Sequence, residues 1–320
     1  MTHQTLHTPV MLSEVLDVLS PQEGKIYVDA TFGVGGYSRA ILRAANCTVY
    51  GVDRDPDAVK RGKLLQATDK RFTILEGNFA NLDILLSDAH VGLVDGIVFD
   101  LGVSSPQLDD PDRGFSFQKD GPLDMRMEKK GPTAADEINT LPEKELATIL
   151  WQYGDEPKSR QIAKAIVERR KTHPFTRTLE LTHLIHTICK KKPHQKIDPA
   201  TKTFQALRIH LNRELQSLEK GLRSAEKTLA FQGRLVVVSF HALEDERVKK
   251  FLRQKSGDIP NPSRHSPVPL KTMTSLSFLT QERKARKPSA AEIAQNPRAR
   301  SARLRWASRT AQPLLPEGWL

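Results

Sequence analysis

A strand, an acid, a glycine-rich turn and the start of a helix follow one another between residues 25 and 42, and no other stretch restricts the fold as tightly. Lys25-Ile26-Tyr27-Val28 is β-like, Asp29 comes next, and Gly33, Gly35 and Gly36 carry the turn. Tyr37-Ser38-Arg39-Ala40-Ile41-Leu42 then continues with helical spacing. Glycines at such a turn let bare N–H groups approach a ligand beside the positive end of a helix. Dinucleotide sites use the same logic, but their G-x-G-x-x-G pattern needs a third glycine at position 38, where this chain has Ser38. The loop by itself therefore predicts a nucleotide-like ligand and leaves its identity open.

Strand and helix patterns alternate through the first hundred residues. Cys47-Thr48-Val49-Tyr50-Gly51-Val52 ends in Asp53, 20 residues after Gly33, the spacing at which an acid on a second strand reaches ribose hydroxyls. Arg71–Phe79 reads as a third strand with the polar and aromatic tip Asn78-Phe79, and Val94–Gly102 as a buried fourth strand ending at Asp100. This alternation predicts a parallel, doubly wound sheet whose ligand lies at the carboxyl ends of the strands. With 320 residues the chain can form about two domains. No apolar run approaches the ~20 residues of a membrane span. The first residues, Met1-Thr2-His3-Gln4-Thr5-Leu6-His7, lack a secretory pattern. Cys47 and Cys189 are too few and too far apart for a disulfide framework or a cysteine-built zinc site, so no metal is expected. These features together predict a cytoplasmic protein.

After Val103 the alternation stops. Residues 104–132 are rich in proline, glycine and aspartate, and residues 133–192 show only helical patterns, near Ala134–Tyr153, Lys158–Lys171 and Leu179–Lys191. The predicted organisation is a sheet domain at 1–103, an inserted all-helical substrate-recognition domain at 104–203, and the remainder of the sheet domain at 204–320. From Thr203 the leucines at 207, 211, 215, 218, 222 and 229, with Ala225, form one apolar stripe. They predict a single long helix against the sheet, with Gln205, Arg208 and Asn212 at its leading end. Gly233–His241 is the clearest strand, and helical spacing resumes at Glu244. Residues 256–272 read as a loop, and two short strands are expected near Ser275–Leu279 and Ala302–Ala307.

Charge adds a partner. The formal net charge is +11, and the C-terminal region holds Arg283, Lys284, Arg286, Lys287, Arg298, Arg300, Arg303, Arg305 and Arg309 against only Glu282 and Glu292. Such a balance favours contact with nucleic-acid phosphates. The acids at 29, 53 and 100 around a glycine loop, with an aromatic residue at 79, suit S-adenosylmethionine (SAM). Its carboxylate needs N–H donors, its ribose an acid, its adenine an apolar wall, and its ammonium and sulfonium charges need carboxylates. A pyrophosphate would not favour so many acids.

Long motifs then carry a resemblance over nearly the whole chain. They are His7-Thr8-Pro9-Val10, Gly33-Val34-Gly35-Gly36-Tyr37-Ser38, Asp100-Leu101-Gly102-Val103-Ser104-Ser105-Pro106-Gln107, Arg113-Gly114-Phe115-Ser116-Phe117, Asp120-Gly121-Pro122-Leu123-Asp124-Met125-Arg126-Met127, Thr203-Phe204-Gln205-Ala206-Leu207-Arg208, Ser239-Phe240-His241-Ala242-Leu243-Glu244-Asp245 and Asn296-Pro297-Arg298-Ala299-Arg300-Ser301. The sequence resembles the ribosomal RNA small subunit methyltransferase H family. That resemblance implies an α/β, Rossmann-like class I SAM-dependent methyltransferase fold with a helical insert. It also implies methylation of cytosine N4 in the decoding region of small-subunit rRNA. Carried over by motif, the SAM contacts are Gly35, Gly36, Tyr37, Asp53, Phe79, Asp100 and Gln107, with Gly33 in the same loop; the family often has histidine at the position of Tyr37. Asp100 and His241 are the candidate catalytic residues, and Arg208 and Asn212 the candidate substrate contacts. The expected partner is the small ribosomal subunit and its rRNA, with monomer and homodimer both open. Competing readings are a non-enzymatic RNA-binding assembly factor on a SAM fold and a DNA cytosine-N4 methyltransferase.

Overall fold

Continuous apolar runs in the strands require cover on both faces of a sheet, because alternate side chains point to opposite sides. The computed structural model, which describes residues 9–190, 197–258 and 276–312, shows that cover. His7-Thr8 of the first motif and residues 259–272 of the expected loop lie outside the described residues. The chain divides into two compact units, Met1–Gly102 with Leu215–Leu320, and Val103–Glu214.

The first unit opens with α1 (Leu12–Leu19), β1 (Ile26–Asp29), α2 (Gly36–Ala44), β2 (Thr48–Asp53), α3 (Pro56–Thr68), β3 (Phe72–Glu76), α4 (Leu82–Asp88) and β4 (Val94–Asp100). In β4, Ile97 and Phe99 enter one apolar cluster with Leu82, Leu86, Leu218 and Leu222, while Val98 enters another with Val15, Leu19, Ile41 and Val49. Both layers are dry, which is why this strand shows no polar alternation in the sequence.

The second unit holds α5 (Ser105–Asp109), α6 (Ala134–Thr140), α7 (Glu143–Gly154), α8 (Ser159–Arg170), α9 (Thr178–Ile188) and α10 (Ala200–Leu211) around Met125, Ile138, Leu150, Ile162, Phe175 and Phe204. The single helix expected over 134–153 is two helices, since Pro142 precedes α7 and disfavours a helical conformation at Leu141.

The chain returns through α11 (Glu214–Thr228), β5 (Leu229–Ser239), α12 (Ala242–Lys255), β6 (Phe278–Leu279), α13 (Ala290–Gln295) and β7 (Arg303–Arg309). Strand order is β3-β2-β1-β4-β5-β7-β6, with β7 antiparallel to β5 and β6. This is the Rossmann-like α/β arrangement. The order reverses beside β1, whose neighbours β2 and β4 are both parallel to it, and the crevice at that switch point is where such sheets bind ligands. Among the described residues, no helix is long and apolar enough to cross a membrane.

The long helix expected from Thr203 is broken at Asn212-Arg213, where Arg213 takes a left-handed φ of 50°. Its stripe serves two cores: Phe204 and Leu207 bury in the helical unit, and Leu218, Leu222 and Ala225 in the sheet unit. The helical unit accordingly runs to Glu214 rather than to residue 203. Asn212 explains the break. Its side chain accepts from Met127 N–H (2.8 Å) and donates to the carbonyls of Met125 (2.8 Å) and Arg208 (2.9 Å). Asn212→Ala strands these buried groups, and the expected loss is about 3 kcal/mol of unfolding free energy, to be read from urea denaturation; a change within error of zero would contradict the role.

Candidate active site

Asp29 is wholly buried at the end of β1. Its Oδ2 accepts from the Ser38 N–H (3.1 Å) and hydroxyl (2.7 Å), and its Oδ1 from Thr31 N–H (3.4 Å). Burial raises its pKa to about 6 against these hydrogen bonds, which lower it. The carboxylate thereby ties the first turn of α2 to β1 and folds the intervening loop into shape. Gly35 adopts φ 75°, and a Cβ there would lie 2.6 Å from the Phe32 ring; a Cβ on Gly36 would lie 2.3 Å from Pro9. Only glycine fits at either position. The N–H groups of Gly36 and Tyr37 belong to the first turn of α2, where a helix leaves donors without intrahelical acceptors.

Two of the expected loop residues also make internal contacts. Gly33 donates its N–H to Asp53 Oδ2 at 2.7 Å, and its carbonyl accepts from Arg61 Nε at 3.1 Å, so this residue joins the loop to β2 and α3. Tyr37 is buried in the apolar cluster beneath α2, and its hydroxyl donates to the Val10 carbonyl. Its side chain is therefore a structural element, and only its backbone N–H remains for a ligand.

Asp53 accepts from Gly33 on one oxygen and from Asp55 N–H (2.8 Å) on the other. Burial raises its pKa in spite of both bonds. Asp100 closes β4. Its N–H donates to Thr31 Oγ1 at 2.6 Å, while its buried Oδ1 has no hydrogen-bond partner among the described residues. Burial drives the Asp100 pKa well above the carboxylate range, and the negative charges of Asp29 and Glu244 add to the shift. Unpaired acids brought together in this way are costly unless a cation compensates them. Phe79 follows β3 and stands half-buried, edge-on to Phe99 with centroids 5.4 Å apart. The donors on α2, the acid on β2, the aromatic wall after β3 and the unpaired carboxylate on β4 fit the carboxylate, ribose, adenine and cationic parts of SAM. The sheet brings Gly35, Gly36, Asp53, Phe79 and Asp100 to its carboxyl edge.

His241 serves as the N-cap of α12. Its Nδ1 accepts from Glu244 N–H (3.4 Å) and its Nε2 lies 3.0 Å from Glu244 Oε1. Glu244 in turn accepts from the N–H of Phe240 (2.8 Å) and His241 (3.3 Å), completing a capping box. Nδ1 is thus used by the cap, while the buried Nε2 lies beside the Glu244 carboxylate without a hydrogen-bond partner among the described residues.

In the helical unit, Gln107 is buried and its side-chain oxygen accepts from Ser104 N–H (2.9 Å), capping α5. Arg208 forks onto Glu214 at 2.7 and 2.9 Å, so its guanidinium is held by a carboxylate rather than presented to phosphate. Asn212 is the internal junction described above. Arg208 and Asn212, the substrate contacts expected from the sequence, thus both make internal hydrogen bonds within the helical unit. Part of the C-terminal basic cluster is likewise internal. Arg286 binds Glu282 and Asp17 (both 2.6 Å), Arg303 and Arg305 bind Asp245 (2.9 and 2.7 Å), and Arg309 is buried against the carbonyls of Glu226 and Ser277 (both 3.1 Å). Burial pushes the Asp245 pKa up, but the two arginines prevail and hold it below the usual range. Arg283, Lys284, Lys287, Arg298 and Arg300 stay exposed. Thr31, Ser38 and Arg61 are the site-shaping residues that the sequence reading missed; Thr31 and Ser38 flank the recognised loop, and that position was the available signal.

The pKa of Asp29 has a consequence for stability. Because the folded value is raised above the unfolded one, the native state holds the proton more tightly, and stability is lost as pH rises from about 4 through about 6. Asp29→Asn keeps an acceptor and removes the charge. Its unfolding free energy relative to the wild type, in protein free of cofactor, is expected to rise by about 3 kcal/mol between pH 4 and pH 7. Urea melts across that range measure the difference, and a flat or falling difference contradicts the assignment.

A sequence model of the MraW methylase family matches residues 4–310. The chain is 54% identical over 308 residues to the ribosomal RNA small subunit methyltransferase H of Paramagnetospirillum magneticum, covering 96% of each protein. It is 53% identical over 310 residues to the protein of the same name from Rhodospirillum centenum (97% of this chain, 94% of that one). The corresponding protein of Parvibaculum lavamentivorans is 51% identical over 312 residues (97% and 91%). With the family's model spanning almost the full chain and relatives this similar along their whole length, the chain belongs to the MraW methylase family.

Proposed function

We propose that this protein methylates the exocyclic N4 of a cytosine in the decoding region of small-subunit rRNA, with SAM as methyl donor. The observation that carries the cofactor half is the unpartnered, buried Asp100 oxygen at the carboxyl edge of the sheet. The RNA half is supported by the names of the relatives and by the exposed cations at 283, 284, 287, 298 and 300.

SAM supplies an electrophilic methyl carbon on a sulfonium. The protein's share is to orient, because in-line displacement needs the amine, the carbon and the sulfur near collinear. Gly36 and Tyr37 offer backbone N–H groups to a carboxylate. Asp53, already held in place by Gly33 and Asp55, directs its remaining lone pairs at ribose hydroxyls. Phe79 provides the flat wall. The N4 lone pair of cytosine is delocalised into the ring, so acceptors for its hydrogens favour reaction by localising it and by taking up developing positive charge. Asp100 and the carbonyls just after it are suited to that part. His241 Nδ1 caps α12, and the proton released after transfer goes to solvent or to an acceptor at the site. The target base must leave its stack, which costs least in a single-stranded or loop region.

Transfer of labelled methyl to purified small subunits, free rRNA and DNA, followed by nucleoside analysis, tests the reading. N4-methylcytidine in rRNA is expected; label in DNA alone, or none anywhere, would overturn it. Asp53→Ala is expected to raise the SAM KM by about 10- to 100-fold through loss of hydrogen bonds to a charged acceptor. Asp100→Ala is expected to lower the single-turnover rate at saturating SAM, and near wild-type rates would remove Asp100 from the amine site.

A further inference from the structure

Helix α11 buries Leu218, Leu222 and Ala225 in the sheet core, as its apolar stripe requires. A second stripe of small residues, Ser217, Gly221 and Ser224, lies along the same helix at steps of four and three. Each of the three meets the short segment that follows β3. Ser217 Oγ accepts from Asn78 Nδ2 at 3.2 Å. Ser224 Oγ donates to the Ala80 carbonyl (3.1 Å) and lies 2.9 Å from Asp83 Oδ1. Between them stands Gly221, where a Cβ would fall 2.6 Å from Cδ2 of the Phe79 ring, 3.2 Å from Cε2 and 3.3 Å from the Phe79 carbonyl oxygen. Gly221 has an ordinary helical φ, so backbone conformation does not call for glycine there, and intrinsic preference inside a helix disfavours it. What calls for it is space for the Phe79 ring, which also packs edge-on against Phe99.

We propose that Ser217, Gly221 and Ser224 are positioning residues for the cofactor: they hold the Asn78–Ala80 segment so that the Phe79 ring stands at the depth and tilt an adenine requires. The inference rests on the reading of Phe79 as the adenine wall. No residue of the seam needs to touch SAM. A methyl group at position 221 forces the ring or its backbone outward, and the two serine hydrogen bonds oppose that movement on either side. The expected signature is a loss confined to cofactor affinity, with methyl transfer itself preserved once SAM saturates.

The test is a double-mutant cycle read by calorimetric affinity for S-adenosylhomocysteine and by the KM for SAM. Phe79→Ala alone examines the underlying reading; unchanged affinity in that variant means that Phe79 is not the adenine wall, whatever the seam does. With that established, Gly221→Ala is expected to weaken binding about tenfold, the scale of a displaced aromatic contact. Its kcat at saturating SAM stays within about twofold of wild type. In the Phe79→Ala background the same substitution is expected to add nothing, because the ring it displaces is gone. Equal weakening in both backgrounds, or none in either, overturns the proposal. If Gly221→Ala does not fold, Ser217→Ala and Ser224→Ala enter the same cycle. Both remove only hydrogen bonds and are expected to weaken binding about threefold with Phe79 present and not at all without it; weakening that persists without Phe79, or its absence with Phe79 present, overturns the proposal in the same way.

Discussion

The buried Asp29 carboxylate is the interaction on which the site depends. Through Ser38 it fixes the start of α2, and through Thr31 it fixes the outer half of the loop. Thr31 passes the constraint to β4 by accepting the Asp100 N–H, and Gly33 passes it to β2 by donating to Asp53. Three strand ends are thus registered to one loop by side-chain and backbone hydrogen bonds, in addition to the ladder of the sheet. Positions facing the ligand inherit their geometry from that network. The Asp53 carboxylate is aimed by the backbone N–H groups of Gly33 and Asp55, and the Asp100 backbone is anchored by the Thr31 hydroxyl oxygen.

Much of this was legible in the sequence because it is local. The strand, acid, glycine loop and helix lie within 18 consecutive residues (25–42), and the positions of Asp53 and Asp100 follow from parallel strands ending on one edge. What the sequence concealed is pairing across long separations. Arg305 meets Asp245 from 60 residues away and Arg309 reaches a carbonyl 83 residues away, so a cluster that reads as free positive charge is partly spent inside the fold. Asn212 looks polar and exposed in a helical pattern, yet it binds Met125 and Met127, more than 80 residues earlier. Gly221 reads only as a weak point in a helix until the Phe79 ring is set against it.

The break at Asn212-Arg213 has the same lesson for periodicity. Steps of three and four continue through it without interruption, because each half of the stripe satisfies the same rule against a different core. Periodicity reports that a face is buried, not what buries it. Only the capping role of Asn212, which depends on loop backbone far away in sequence, tells the two helices apart.

The acids at the sheet edge are expensive where they stand. Asp29, Asp53 and Asp100 are all shifted upward by burial, and Asp100 receives no hydrogen bond at Oδ1 to offset it. A fold that merely needed to be stable would replace at least one of them by an amide. Their presence makes sense as preorganisation: the acids are positioned before the ligand arrives, and a cation entering the site favours the charged forms that burial disfavours. The same acids discriminate. A pyrophosphate brought against these acids would disfavour their ionised forms further, whereas a sulfonium and an ammonium favour them. Choice of cofactor in this protein is therefore set less by the glycine loop, which many nucleotide sites share, than by the carboxylates that stand around it.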